Sequence, residues 1–380
     1  MPASLEYVDQ SEAYKNFISS INSEVSKKCY RNSLTYFMRF TKLPTCDVLI
    51  KLDHSNLEGL IRDYIIYLRQ DKKLSPASVS AYIAAVVHFF EMNDITLRWN
   101  KLKKFKAKFC NIVEDRPYTR QEIKRLIDIA TSRDKCIILM MASAGLRRGA
   151  LPYLRLKDIQ KIDKYNIYRI NVYKKEQESY MTYCTPECTK YVEQYLQWRE
   201  RLGEKLQQNS PLFRQSFDTV TEVNRPQSIT NSVIINALRK LLDSTGIRTV
   251  TNDSRVRGEL MQTHGFRKFF KTTCINAGMN PLYSEYVMGH RSGLTKSYFK
   301  PSDVEILEGN DKALGYSAAI NDLTINEEYR LHRKIDELTK KKDEIELREI
   351  KHKQELKSMR EEMENRFQQI LAKIDVGRLS

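Results

Sequence analysis

The chain has 380 residues, of which 41% are hydrophobic, so it is long enough for two globular domains with apolar cores. Its 64 lysines and arginines exceed its 48 acidic residues, and the formal charge of +16 indicates a polyanionic partner such as DNA or RNA, unless it reflects only a basic, solvated surface. No apolar stretch approaches 18 residues and residues 1–10 lack signal-peptide features, so we expect no membrane partner and a location in the cytoplasm with the nucleoid.

The first segment, from about residue 10 to residue 100, is predicted to be helical. Apolar residues recur with helical spacing in YKNFISSINSEV, RNSLTYFMRF and LIRDYIIYLRQ. Ser75 can cap a further helix with Pro76 at its first position, and residues 77–92 then continue without a breaker. We therefore predict a compact helical bundle, and we place the first domain at residues 1–108.

The end of this domain is strongly basic. Residues 101–108 read KLKKFKAK and are predicted to form a linker between two domains. Such a run is usually only a solvated face, but here it could lie against the phosphates of a nucleic acid. The candidate DNA-contacting residues are Lys101, Lys103, Lys104, Lys106 and Lys108, together with Lys174 farther along the chain.

The second domain, residues 109–316, is predicted to be mainly α with a small β-hairpin. Thr119 and Glu122 form a capping-box pattern for a helix that reaches Ala130. The segment CIILMMASAGLRRGALPYL indicates a buried helix, a turn at Gly145 and a second helical start. Residues 167–173 and 179–184 alternate as two strands around KEQES. Further helices are predicted at 186–202, 231–244 and 264–277, with a polar loop at 203–227.

The third segment, residues 317–380, is rich in Lys, Glu, Arg and Gln. Leu331, Ile335, Leu338 and Ile345 follow a heptad rhythm, which Glu349 and His352 interrupt before apolar residues resume at Leu356. The pattern predicts an oligomerising coiled coil, and the alternative is a single charged helix on the surface.

The cysteines indicate free thiols. None of the seven belongs to a CxxC pair, and Cys184 and Cys188 have no second ligand pair nearby, so we interpret them as ordinary side chains rather than zinc ligands. We predict neither a metal nor a cofactor.

The residue types of the second domain suit phosphodiester chemistry. Such a reaction requires a nucleophile, cations for the phosphate oxygens and an acid for the leaving hydroxyl. Arg147 follows the turn at Gly145, His264 and Arg267 are three residues apart in HGFRKFF, and MGH and LTKSYFKP supply a further histidine and a tyrosine. The candidate catalytic residues are Arg147, Lys175, His264, Arg267, His290 and Tyr298.

The order of these residues resembles the tyrosine recombinases, the family of phage and archaeal virus integrases and Xer-type resolvases. The likeness covers about residues 10–315, is stronger in the second half, and is closest to archaeal integrases in YMTYCTPE and MGHRSGLTKSYFKP. It implies a helical core-binding domain, segment LSPASVSAYIAAVVHFF included, and a catalytic domain that together clamp double-stranded DNA. It also implies a homotetramer that integrates or excises a mobile element or virus.

By the same resemblance each candidate residue has a role. Tyr298 would attack the scissile phosphate to form a 3′-phosphotyrosyl link, which Arg147 and Arg267 would stabilise by holding the non-bridging oxygens. His264 would act as base and His290 as a phosphate donor. Lys175 would protonate the leaving oxygen, and Lys174 remains an equal rival for that role.

Two departures keep other functions open. Ala150 stands where the family often has an acidic residue, and the charged tail is unusual. The alternatives are a DNA-binding architectural or regulatory protein that has lost the reaction, a type IB topoisomerase, and a coiled-coil scaffold.

Overall fold

The computed structural model describes residues 10–106, 115–173, 178–217, 221–247, 260–290, 299–310 and 313–377. They form two compact units, one within residues 10–106 and the other within residues 115–377. No helix of these described parts is long and apolar enough to cross a bilayer.

The first unit is the predicted helical bundle. Ser11, Ser23, Thr45, Asp53 and Ser75 each accept a hydrogen bond from the backbone N–H three residues on, which explains where the first five helices begin. Their inward faces combine aliphatic and aromatic side chains. The helices are α1 (Glu12–Ser19), α2 (Glu24–Thr41), α3 (Cys46–Ile50), α4 (His54–Gln70), α5 (Pro76–Glu91) and α6 (Trp99–Leu102), and the fully buried aromatic residues are Phe17, Phe37, Tyr64, Phe89 and Phe90.

The basic segment is part of this unit rather than a linker over the residues described. Glu58 on α4 accepts hydrogen bonds from the backbone and the guanidinium of Arg98, which hold the pKa of Glu58 at about 2. Helix α6 follows at once, Leu102 is buried, and Lys103–Phe105 form a 3₁₀ turn. The prediction of a linker is therefore wrong for residues 101–105, because buried Leu102 anchors them.

The second unit begins at a helix that the sequence predicts well. Helix α7 (Arg120–Ile129) has the full capping box of Thr119 and Glu122. Helix α8 (Ser132–Ser143) follows, and all of its residues from Cys136 onward are buried. Because α8 is enclosed, the turn at its end is held in a fixed place.

A three-stranded antiparallel sheet lies beside α9 (Pro186–Arg201), which in turn packs on α8. Its strands in order are β1 (Ile159–Ile162), β2 (Ile167–Val172) and β3 (Tyr180–Tyr183), and Val172 pairs with Tyr180 at the end of the hairpin next to the connecting segment. The predicted hairpin is confirmed. Strand β1 was not predicted, because four residues of the pattern IQKI are too few to separate a strand from a loop.

The remaining helices complete the core of this unit. They are α10 (Asn231–Thr245), α11 (His264–Asn276), α12 (Pro281–Val287), α13 (Asp303–Glu308) and α14 (Tyr316–Leu323), and a short pair, β4 (Gly309–Asn310) and β5 (Ala313–Leu314), lies between the last two. The composition changes at residue 317, yet α14 buries Ala319, Ile320 and Leu323 in this core. The exposed part of the extension therefore starts at α15 (Glu327–Gly377).

Candidate active site

The turn after α8 places the first candidate residue. Gly145 has a φ of +60°, and a Cβ there would lie 2.6 Å from the ring of Phe270, so only glycine fits. The backbone of Arg147 is extended, and a 3₁₀ helix over Arg148–Tyr153 replaces the α-helix predicted after the turn. Arg147 is half-buried, while Ala150 is buried within that 3₁₀ helix.

Arg267 connects three segments of the site. It lies one turn into α11, is 5% exposed, and donates to the carbonyl oxygen of Gly145, to that of Met288 at 3.2 Å and to Nε2 of His290 at 2.8 Å. Burial and then the charge of Arg147 lower the pKa of Arg267 to about 10, so it remains protonated at neutral pH. The two guanidinium groups thus lie close enough to act on each other.

The hydrogen bonds of His290 determine its protonation. An arginine can only donate, so Nε2 of His290 accepts from Arg267 and carries no proton. Nδ1 therefore holds the ring proton and donates it to Glu285 at 2.6 Å. Burial is the largest cause that lowers the pKa of His290; the charges of Arg267 and Arg147 lower it too, whereas Glu285 raises it. In the free protein His290 is thus a neutral ring.

Glu285 is a site residue that the sequence reasoning missed. It lies on α12, five residues before His290, and binds both Lys271 of α11 and Nδ1 of His290. These contacts lower its pKa against the effect of burial. The signal in the sequence was weak, because a glutamate near a Gly-His pair is common and nothing marks which imidazole nitrogen it will contact.

Tyr180, the first residue of β3, is a second site residue that was missed. It is 5% exposed, and its ring touches Gly289, where φ is +68° and a Cβ would lie 2.6 Å away. Thr182 on the same strand donates to the carbonyl of Ala144 at 2.8 Å, which ties β3 to the turn before Arg147. Burial raises the pKa of Tyr180, while Arg267 and Arg147 lower it.

His264 is the exposed first residue of α11, one turn before Arg267. Tyr118 fixes this end of the helix, because its hydroxyl donates to the carbonyl of Gln262 at 3.1 Å and its ring stacks on Phe266. Gly265 is required there, since a Cβ would lie 2.7 Å from the Tyr118 ring.

The structure thus brings Arg147, Arg267 and His290 together, with His264 on the same helix as Arg267. Lys174, Lys175 and Tyr298 lie outside the described residues, and so does Lys108 of the basic segment. Phe299, the neighbour of Tyr298 in the chain, is described, and its ring centroid lies 5.9 Å from that of Tyr283 and 6.4 Å from that of Tyr286, both on α12.

The charges of this cluster are not balanced locally. Among the described residues, the guanidinium of Arg147 forms no hydrogen bond or ion pair. Arg267 donates to two carbonyls and a neutral imidazole, and it also acts on the hydroxyl of Tyr180. Glu285 is already engaged by Lys271 and His290. Two adjacent guanidinium groups without a carboxylate partner form a site for an anion with several oxygens.

Comparisons with known proteins identify one family and several solved structures that the chain resembles. Residues 117–304 match the phage integrase family. A lambda integrase tetramer bound to a Holliday junction is 13% identical, with 77% of this chain and 78% of that chain covered and a TM-score of 0.52. The Tn1549 transposon integrase in complex with circular intermediate DNA is 16% identical, with 77% and 96% covered and a TM-score of 0.52.

A second structure of lambda integrase, a dimer bound to a core site, is 12% identical, with 76% and 96% of the two chains covered and a TM-score of 0.52. At these identities the three structures establish the fold alone, and no curated protein matches the chain in a sequence comparison. The family match covers the turn at Arg147, helix α11 and His290. Residues 117–304 of the chain are therefore similar to the phage integrase family.

Proposed function

We propose that the protein is a site-specific DNA recombinase that cuts and rejoins strands through a covalent bond to Tyr298. The observation that carries this proposal is the unbalanced positive charge of Arg147 and Arg267, whose guanidinium groups act on each other and form no ion pair with a described carboxylate. Fixed guanidinium groups match the crowded oxygens of a phosphodiester, and they stabilise the charge that develops as the phosphorus is attacked. The family match supports the same reaction.

In the proposed reaction the oxygen of Tyr298 bonds to phosphorus, and the bond from phosphorus to the 5′ oxygen breaks. The tyrosine proton passes to His264, and Lys175, or Lys174 in its place, gives a proton to the leaving oxygen. The products are a 3′-phosphotyrosyl link and a 5′-hydroxyl. Because one phosphodiester replaces another, the reverse reaction needs no ATP.

His290 changes its role when the phosphate binds. In the free protein its Nε2 accepts from Arg267, so it has no proton to give from that atom. A bound phosphate competes for the N–H groups of Arg267, and its negative charge raises the pKa of His290. The ring then gains a proton at Nε2 and donates it in a hydrogen bond to a phosphate oxygen.

Phe299 supports the choice of Tyr298 as the nucleophile. Its ring packs against Tyr283 and Tyr286 of α12, the helix that carries Glu285 and leads into Gly289 and His290. The residue before Phe299 in the chain is Tyr298. The described neighbour of Tyr298 thus packs against the helix that leads to His290.

Double-stranded DNA is the proposed partner. In the first unit Lys101, Lys103 and Lys104 are exposed and Lys106 is half-buried, which suits contacts to backbone phosphates. The reaction joins two duplexes and requires four cleavages, so we propose a homotetramer on DNA. The lambda integrase structure is described as a tetramer on a Holliday junction. Integration or excision of a mobile element, in an archaeal host or its virus, is the proposed setting.

We further propose that α15 assists this assembly as a coiled coil. Its apolar positions are about half to three-quarters exposed in the single chain: Leu331, Ile335, Leu338, Ile345, Leu356, Met359 and Met363. They recur at intervals of three, four, seven and eleven residues along one side of a helix of 51 residues. A stripe of this kind is unfavourable in water, and a second copy of the same helix would cover it.

A covalent trap tests the proposed reaction. The substrate is a pool of nicked duplexes with a randomised centre, in which the short cleaved fragment diffuses away and leaves the protein bound to DNA. We expect the wild-type chain to form an adduct that survives denaturant and enriches one sequence, and we expect Tyr298→Phe to form none. An undiminished adduct with Tyr298→Phe would contradict this assignment.

The same experiment separates the alternatives. Adducts without sequence enrichment, together with relaxation of any plasmid, would indicate a type IB topoisomerase. Sequence-specific binding without any wild-type adduct would indicate a DNA-binding protein that has lost the reaction. A sulfur atom at the 5′ bridging position leaves without an acid, so it should restore cleavage to the lysine variant, Lys175→Ala or Lys174→Ala, that lacks the proton donor.

A further inference from the structure

One polar group at the candidate site has no role in the proposed reaction, namely the hydroxyl of Tyr180. We propose that this hydroxyl donates a hydrogen bond to a non-bridging oxygen of the bound phosphodiester, beside Arg147 and Arg267. The inference rests on the proposed function and adds to it a residue that touches the substrate.

The first support is that the hydroxyl is buried and has no acceptor for its proton. Tyr180 is 5% exposed, Arg267 acts on its oxygen as a donor, and none of the described residues accepts the hydroxyl proton. A buried hydroxyl whose proton lacks an acceptor is unfavourable, so such a group at a functional site indicates a ligand that is bound only during function.

The second support is the set of charges that the hydroxyl faces. Arg267 and Arg147 both act to lower the pKa of Tyr180, so the oxygen lies near both guanidinium groups. Tyr64 in the first unit has a buried hydroxyl without a partner, but the groups that act on it are three other tyrosines. Tyr180 therefore differs from an ordinary core tyrosine, because it shares the space that two unbalanced cations leave for an anion.

The third support is the fixed direction of the ring. One edge lies against Gly289, where even a methyl group would be 2.6 Å from the ring carbons, and the Tyr173 ring packs at 6.4 Å. Strand β3 is itself held by the bond from Thr182 to the carbonyl of Ala144. The hydroxyl is thus preorganised, which is the condition under which a donor stabilises a transition state.

The proposed contact is that of a neutral donor. The oxygen can accept from an arginine N–H while its own proton points to the phosphate. Burial raises the pKa of Tyr180, which keeps the proton on the oxygen at neutral pH. The same effect makes the buried Tyr180 a poor nucleophile, so it does not compete with Tyr298 for the phosphorus.

The test compares Tyr180→Phe with Tyr183→Phe in the full chain. Tyr183 is a buried tyrosine on the same strand, but its hydroxyl donates to the carbonyl of Asp303 at 3.2 Å, so it serves as the matched control. The readouts are the single-turnover rate of adduct formation on the enriched nicked duplex, the affinity for that duplex, and unfolding in urea.

We expect Tyr180→Phe to cleave about ten- to a hundredfold more slowly than the wild type. Removal of one preorganised donor typically lowers the rate by about a hundredfold or more, so this effect lies at or below the lower end of that range. DNA affinity and the urea midpoint should stay near the wild-type values, and Tyr183→Phe should keep the wild-type rate. Equal cleavage rates for the wild type and Tyr180→Phe would overturn the role of Tyr180 and leave the proposed function standing.

Failure of the Tyr180 contact and failure of the proposed function can be distinguished by a titration with inorganic phosphate. The readout is the midpoint of thermal unfolding of the full chain. If the wild type forms no adduct on any substrate, the proposed function fails, and the phosphate titration alone decides on Tyr180. Weaker stabilisation of Tyr180→Phe than of the wild type and of Tyr183→Phe would support the contact. Equal stabilisation of all three would overturn it.

Discussion

At the scale of single residues, the site depends on which atoms are already engaged before DNA arrives. Arg267 is held by two carbonyls and by Nε2 of His290, whose Nδ1 is in turn held by Glu285. These hydrogen bonds keep the ring of His290 neutral and direct its Nε2 toward Arg267. We therefore propose that Glu285 is a positioning residue, which would act on a bound phosphate only through His290.

We predict that Glu285→Gln lowers the pKa of His290 further, because the carboxylate is the described group that most strongly favours the charged ring. The wild-type pKa already lies below 6.5, so the neutral ring predominates above that pH. Since the unfolded chain then binds the proton more strongly, His290 makes the fold less stable as the pH falls through 6.5.

NMR titration of the histidine ring nitrogens, with His290→Asn to assign the signals, measures this pKa and the tautomer. Glu193→Gln is the control, because Glu193 pairs with Lys161 at the sheet and does not act on His290. A wild-type ring with its proton on Nε2, or an unchanged pKa in Glu285→Gln, would contradict the arrangement.

The cationic residues of the candidate site could be identified from the sequence, but the groups that support them could not. Arg147, His264, Arg267 and His290 were identifiable because phosphate chemistry demands particular residue types, and their order along the chain narrows the choice. Tyr180 and Glu285 were not identifiable, because tyrosine and glutamate serve many purposes. Their importance follows from contacts between β3, α11 and α12, which no local pattern encodes.

At the scale of elements, helix starts were predictable because side-chain caps act over three residues. Ser75 and Thr119 were placed correctly for this reason. The 3₁₀ helix after Arg147 and the folded state of residues 101–105 were not predicted, since they depend on tertiary contacts such as the burial of Leu102. The local sequence indicates secondary-structure propensity, whereas packing against the core determines which short segments are folded.

The segment just before α15 makes one such tertiary contact, which can be tested. The carboxylate of Glu187 on α9 is buried and accepts the backbone N–H groups of Ile325 at 2.7 Å and Asn326 at 3.1 Å. We predict that Glu187→Ala lowers the free energy of unfolding by about 1–3 kcal/mol, because two backbone donors lose their acceptor. Exposed Glu200 on the same helix provides the control variant Glu200→Ala.

Urea denaturation of the full chain measures both variants, and hydrogen exchange at residues 325 and 326 locates the effect. We expect faster exchange there in Glu187→Ala only. A loss of stability in Glu187→Ala no larger than in Glu200→Ala would mean that solvent satisfies these donors equally well.

At the scale of the whole molecule, three features suit different partners: the excess of positive charge, the unbalanced arginines and the exposed stripe of α15. The first two suit DNA, and the last suits another copy of the chain. The stripe is interrupted by Glu349 and His352, so an associated pair of helices would be weaker in the middle than at its ends. Such a helix is suited to reversible assembly on DNA rather than to a permanent oligomer.

We predict that the full chain self-associates through α15 and that Met359→Asp abolishes this association. Met359 is 52% exposed and belongs to the apolar stripe, so a carboxylate there would be buried against a second helix without a partner. Ser358→Asp places the same charge one residue away, off the stripe, and should associate like the wild type. Sedimentation velocity over a range of concentrations distinguishes the three proteins. If all of them sediment as the same monomer, α15 is a solitary surface helix, and the proposed assembly on DNA would have to arise from contacts outside α15.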